Sequence, residues 1–68
     1  MTRDECIGLL AHMAAAWPSL DLIPQTVELW VQHTDDGPVD VARFAYDRLV
    51  ESDPWPPTIA RFREVAAA

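Results

Sequence analysis

Few side chains in this sequence are suited to catalysis or to metal binding. The cysteine is Cys6 and the histidines are His12 and His33, and their spacing matches no zinc-binding pattern. Cys6 also lacks a basic neighbour on the next helical turn, which is typical of a buried, unreactive thiol. Ser19 and Ser52 have no neighbouring histidine and no glycine elbow. The sequence therefore predicts a protein that is not an enzyme and needs no metal or cofactor.

The acidic segment from residue 35 to residue 40, Asp-Asp-Gly-Pro-Val-Asp, invites comparison with a calcium-binding loop. It lacks the alternating acids, the central glycine and the distal glutamate of such loops. Carboxylates are also favoured near the N-terminus of a helix by the helix dipole. We therefore interpret the segment as the start of a helix, with Asp36 or Gly37 as its predicted cap.

The charge distribution excludes several classes of partner. The net charge is −6, and residues 21–40 carry five acids and no arginine or lysine. Binding to DNA without sequence preference depends on neutralising phosphates, so direct contact with nucleic acid or with an anionic membrane is not expected. A helix-turn-helix module is a weaker alternative, because only Arg61 and Arg63 of the short last helix offer basic side chains to phosphate.

The length and the cysteine count indicate one small domain in a reducing compartment. At 68 residues the chain can form one core of modest stability, and a single cysteine excludes an intrachain disulfide. No apolar run is long enough to span a membrane, and the first residues do not resemble a signal peptide. We expect a cytoplasmic protein that is a monomer or a weak dimer.

Apolar residues at helical spacing predict an all-α domain over residues 1–68, with helices at about 2–16, 24–35, 38–52 and 58–67. Thr2 and Glu5 form a predicted capping box for the first helix. Pro24 fits the first position of the second helix. In the first helix Cys6, Leu10, Met13 and Trp17 should face the core with Ile7 beside them, and in the second Val27, Trp30, Val31 and Thr34 should do so. In the third the inward residues should be Val41, Phe44, Ala45, Arg48 and Leu49, and in the last Phe62, Val65 and Ala66.

The segment Pro54-Trp55-Pro56-Pro57, called here the strap, separates the last two predicted helices. Each proline fixes its own φ and restricts the residue before it, so the strap should be stiff and non-helical. Thr58 follows and supplies the side-chain oxygen that favours a helix start. The sequence thus predicts a compact four-helix domain that the strap closes.

Trp55 has two interpretations. In the favoured one its indole docks against Trp30 or Phe44 and plugs the helical bundle. In the other it is exposed beside an arginine and anchors a protein partner, because aromatic and arginine side chains dominate interface hot spots. The acidic second helix would then select a basic partner surface. The candidate partner-binding residues are Trp55, Arg61, Glu28 and Asp35.

These features together resemble a known family, the folded N-terminal domain of phage-encoded replicative helicase loader/inhibitor proteins. The first matching feature is a capped helix that ends in an aromatic residue before Pro18. The most distinctive feature is the aromatic-Pro-Pro-Thr-Ile entry to the last helix. The matching residues are Trp17, Val27-Glu28-Leu29-Trp30, Ala42, Phe44, Leu49 and Trp55-Pro56-Pro57-Thr58-Ile59-Ala60.

The resemblance implies an adaptor in phage DNA replication. Such proteins bind a hexameric, DnaB-type helicase, restrain its activity and deliver it to an origin-bound protein. Family members carry a flexible C-terminal extension associated with helicase contact, and this sequence ends where that extension would begin. Either the extension has been removed or the helical bundle itself contacts the target. The alternative is a small phage protein that inhibits another host protein by direct contact.

Overall fold

Four α-helices make up most of residues 1–67, the part of the chain that the computed structural model describes. They are α1 (Arg3–Ala16), α2 (Pro24–Thr34), α3 (Val39–Ser52) and α4 (Ile59–Ala67). No strand occurs within the same residues. The prediction of an all-α, four-helix fold is confirmed.

The starts of the first two helices follow the predicted sequence signals. The Glu5 amide donates to the Thr2 hydroxyl at 3.1 Å, and the Thr2 amide donates to the Glu5 carboxylate at 2.7 Å. This reciprocal pair satisfies two amides that have no partner within the helix. Pro24 occupies the first turn of α2, where its missing N–H costs nothing.

The start of α3 differs from the prediction. Its N-cap is Pro38, with φ −69° and ψ 146°, and no side chain caps the helix there. The prediction that Asp36 or Gly37 caps α3 is therefore wrong. Proline fits the extended geometry of the cap, and its carbonyl accepts from the Ala42 amide at 3.2 Å. The Asp40 carboxylate, already inside the first turn, accepts from the Val41 amide at 3.1 Å.

A single cluster of buried side chains joins the four helices. Trp30 of α2 and Phe62 of α4 meet edge to face, with ring centroids 5.3 Å apart, and Trp17 meets Tyr46 of α3 at 6.1 Å in the same way. Such pairs add to the free energy gained by burying the rings. The core residues are Cys6, Leu9, Leu10, Met13, Trp17, Trp30, Ala42, Ala45, Leu49 and Phe62.

The buried face of α3 is rotated from the predicted one. Ala42, Ala45 and Leu49 are buried, whereas Phe44 is 51% exposed and Val41 is also exposed. The two alanines let α3 pack closely against its neighbours, so the large Phe44 ring falls outside the contact. The Arg48 guanidinium lies over that ring, 5.8 Å from its centroid. On α1, Leu9 is buried in place of Ile7, which is exposed.

Candidate protein-binding site

Trp55 is the most exposed large apolar side chain of the described residues, with 73% of its surface accessible. The other two tryptophans, Trp17 and Trp30, are only 4% and 5% exposed. The prediction that Trp55 docks against Trp30 or Phe44 is wrong. Phe62 occupies the position against Trp30, and Phe44 lies on the surface. The structure therefore presents one indole ring to solvent at the junction of α3 and α4.

The backbone before the strap is held by α1 and α3. The Asp53 amide donates to the Leu49 carbonyl at 2.8 Å and so continues the hydrogen bonding of α3. The Asp53 carbonyl accepts from the indole N–H of Trp17 at 2.9 Å. Because the Trp17 ring is buried, this bond ties the entry of the strap to the end of α1.

The Asp53 carboxylate joins the strap to α4. It accepts from the Arg61 guanidinium at 3.3 Å and from the Ser52 hydroxyl at 3.0 Å. The hydrogen bond from Arg61, followed by the one from Ser52, lowers the pKa of Asp53 below its ordinary value. Arg61 also pairs with Glu64 at 2.8 Å. Two carboxylates thus surround one guanidinium, and the cluster carries a net negative charge.

The backbone after the strap is fixed as well. Pro57 is buried. The Thr58 hydroxyl accepts from the Arg61 amide at 3.1 Å, and the Thr58 carbonyl accepts from the Phe62 amide at 3.0 Å. Thr58 therefore caps α4 as the sequence predicts. With both ends of the strap held, Trp55 is presented by a pre-organised backbone, which reduces the entropy lost on binding.

The four predicted partner-binding residues do not form one cluster. Arg61 lies at the strap, close in the chain to Trp55, but Glu28 pairs with Arg3 across α1 and α2. The hydrogen bond from Arg3 lowers the pKa of Glu28. Asp35 lies at the other end of α1, where its carbonyl accepts from the amino group of Met1. A 14-residue helix is about 20 Å long, so Asp35 is remote from the strap.

The sequence does not predict how the strap is anchored. Trp17 and Asp53 are 36 residues apart, and no local pattern links an indole to a distant carbonyl. The Asp53–Arg61 pair spans eight residues and is not predicted either. Its only sequence signal is that an aspartate and an arginine flank the strap.

Within residues 1–67 the side chains that could bind a metal ion do not cluster. None of the histidines, cysteines and acids of this range form a group of three or more able to hold a metal ion. Cys6 is buried, with its sulfur 3.5 Å from the Thr34 hydroxyl, and that hydroxyl donates to the Trp30 carbonyl. Over the same residues, no helix is both long and apolar enough to cross a membrane.

Comparison with known proteins gives one result. The family model for the N-terminal domain of the phage helicase loader/inhibitor gp39 matches residues 1–63, which is nearly the whole chain. No curated protein matches the sequence, and no solved structure does either.

Proposed function

The chain belongs to the gp39 N-terminal domain family, the phage helicase loader/inhibitor family that its sequence resembles. From this membership we propose that it binds a replicative, DnaB-type hexameric helicase or the loading partner of that helicase. It acts as a loader or inhibitor by protein–protein contact during phage DNA replication in the host cytoplasm. It carries out no chemistry of its own.

The family match supports the helicase as partner, and the exposure of Trp55 on a fixed strap supports the strap as the place of contact. Tryptophan is among the residues most enriched at binding hot spots, and it contributes most when a partner's pocket fully covers it. Hydrogen bonds at Asp53 and Thr58 hold the backbone on both sides of the strap that carries this ring. The partner therefore supplies a pocket for the indole and meets a strap that is already ordered.

The charge beside Trp55 sets the polarity of the partner surface. Asp53 and Glu64 outnumber Arg61 in the cluster, and the whole chain has a net charge of −6. A basic surface around the partner's pocket would match this potential. Such complementarity acts mainly on the association rate and weakens as salt is added.

The alternative of a helix-turn-helix module finds little support in the position of its two arginines. Arg61 is paired with Asp53 and Glu64, and Arg63 donates to the His33 carbonyl at 2.9 Å. Both guanidinium groups would have to leave these partners to reach phosphate. Helix α4 is also only nine residues long.

The proposal is tested by binding to a purified DnaB-type helicase from a host of such phages. We expect a complex with the wild-type chain, and a loss of affinity of at least about tenfold for Trp55→Ser, as for other central aromatic contacts. The matched control is Phe44→Ser, which removes an exposed aromatic ring from α3. It should bind like the wild type.

Three results would count against the proposal. Absence of a complex with the helicase and with its loading partner would reject the replication role. Equal affinity of the Trp55→Ser and wild-type chains would reject the contact at the strap. Recovery of a different dominant protein from host lysate would instead favour an inhibitor of another host protein.

A further inference from the structure

A second surface, separate from the strap, lies between α1 and α3. The two helices border an open groove of about 480 Å³. Its walls include Asp4, Gly8 and Leu9 of α1 and Arg43, Tyr46 and Asp47 of α3. Leu9 is buried and Tyr46 is half-buried, and the Tyr46 hydroxyl donates to the carbonyl of His12, which also lines the groove. The lining therefore combines apolar surface with charged side chains.

Gly8 is unexplained by the packing of the chain. It lies in the middle of α1, where glycine is a far poorer helix former than alanine. A Cβ atom added at Gly8 would meet no atom within 4 Å, and its backbone does not have a positive φ. Neither a close contact within residues 1–67 nor a turn requires glycine here. Because glycine has no side chain, the backbone of α1 is uncovered at this position of the groove.

The charges at the edge of the groove have no partners within residues 1–67. The side chains of Asp4, Arg43 and Asp47 make no hydrogen bond or ion pair there, although Arg43 and Asp47 have the i,i+4 spacing of a helix pair. Glu5, also on the groove wall, is used in the capping box. Three acids therefore line the groove against one arginine.

We propose that this groove is a docking site for a cationic amphipathic α-helix of a protein partner. An apolar side chain of that helix lies over Gly8 against Leu9 and Tyr46, while its lysines or arginines reach Asp4 and Asp47. Recognition of a helix in a groove suits an all-α surface, since residues 1–67 offer no strand edge on which an extended peptide could add. This surface goes beyond the proposed contact at Trp55.

The test is a titration of the isotope-labelled chain with a synthetic peptide, followed by NMR. The probe is an amphipathic helix of leucine and lysine, about 18 residues long so that it can fold, and the control is the same peptide with glutamate in place of lysine. We expect the lysine peptide to shift the amide signals of Gly8, Leu9 and Tyr46, and to leave the Trp55 indole unchanged. The glutamate peptide should cause no shifts.

Two sets of variants separate docking from folding. Gly8→Gln should fill the groove and weaken peptide binding by at least about tenfold, while raising the melting temperature because glutamine is the better helix former. Gly8→Ala should raise the melting temperature and weaken binding less. The pair Asp4→Asn and Asp47→Asn should raise the dissociation constant roughly 3- to 10-fold. Asp21→Asn with Asp36→Asn makes the same charge change outside the groove and should have no effect.

The proposal is overturned if the shifts map to the strap, if both peptides bind alike, or if Gly8→Gln binds the lysine peptide like the wild type. The probe contains no helicase sequence, so its result does not depend on the proposed function. Trp55→Ser should lose the helicase and keep the peptide.

Discussion

Trp17 has two structural roles, one through its ring and one through its indole N–H. Its ring is buried against Tyr46, and its indole N–H holds the Asp53 carbonyl at the entry of the strap. The Asp53 carbonyl is partly buried, and a partly buried acceptor that loses its donor keeps part of the free-energy cost of its desolvation. The indole N–H therefore stabilises the domain in addition to the stabilisation that comes from burying the ring.

We expect Trp17→Phe to lower the free energy of unfolding by about 1–3 kcal/mol, since it removes the donor and part of the ring. For a domain of this size each kcal/mol corresponds to a shift in melting temperature of roughly 4–8 °C. Thermal unfolding followed by circular dichroism measures this shift. Trp55→Phe is the control and should melt like the wild type. Equal melting temperatures for the two variants would show that the N–H bond does not stabilise the domain.

The Asp53 carboxylate makes stability depend on pH. Its pKa is lowered in the folded chain, chiefly by the hydrogen bond from Arg61 and then by that from Ser52. The unfolded value is about 3.9. A carboxylate with a lowered pKa stabilises the folded state above the unfolded pKa, and this contribution is lost as the pH falls through the folded pKa.

We therefore expect Asp53→Asn to be less stable than the wild type at neutral pH, with a difference that shrinks as the pH falls below about 4. Melting temperatures measured from neutral pH down to about 2 give this difference. Asp21→Asn, at an exposed position in the α1–α2 connector, is the control. A wild-type advantage that stays constant down to the lowest pH would contradict the role of the Asp53–Arg61 pair.

At the residue scale, the sequence predicts interactions between residues within one turn of the same helix. The Thr2–Glu5 capping box and the Thr58 cap involve residues three positions apart, and both are confirmed. The exposure of Trp55 was not predictable in the same way. Both Trp55 and Phe62 are aromatic residues near the end of the chain, and the packed structure places Phe62 against Trp30.

At the scale of elements, the strap determines where α4 packs. It follows α3 without a long loop, and α4 then lies against α3 and against Trp30 of α2. The stiff, non-helical character of the strap follows from its prolines and was predicted. Its two anchors, Trp17 and Arg61, required the packed structure.

We expect Pro57→Gly to loosen α4 and to lower the melting temperature by several degrees. Glycine increases the entropy of the unfolded chain, and this change also removes a buried ring. Pro54→Gly is the matched control, because it increases the same entropy at an exposed position. It should lower the melting temperature less. An unchanged melting curve for Pro57→Gly would mean that the strap does not hold α4 in place.

Helix α3 shows why a predicted face can be rotated. The sequence offers Val41, Phe44 and Leu49 as large apolar residues, and a face drawn through them includes the arginine at position 48. The packed face instead runs through Ala42, Ala45 and Leu49. The distance between two packed helices depends on the size of the side chains at the contact, and small side chains allow a short distance. The hydrophobicity of a sequence does not reveal this distance. The helical spacing of the apolar residues predicts where α3 lies in the sequence but not which of its faces is buried.

At the scale of the whole molecule, the net charge disfavours nucleic acid as a partner. The net charge of −6 opposes contact with phosphate, and the two arginines of α4 are bound to groups of the chain itself. The family match agrees with a replication protein that acts on proteins.

We expect no complex between the chain and duplex DNA even at low ionic strength, where electrostatic binding is strongest. A gel-shift experiment over a range of salt concentrations measures this. The variant Asp53→Asn with Glu64→Gln, which releases Arg61, is the informative comparison, and it too should leave DNA unbound because the net charge stays negative. A shift that disappears as salt is added would support the helix-turn-helix alternative instead.

The unequal burial of the three tryptophans gives the domain an intrinsic optical signal. Trp17 and Trp30 lie in an apolar interior, whereas Trp55 is surrounded by water. The Trp55 fluorescence should therefore be red-shifted and readily quenched by acrylamide, and the other two should be shielded. Occlusion of the strap by any protein would move the emission to the blue, without a label and without altering the fold.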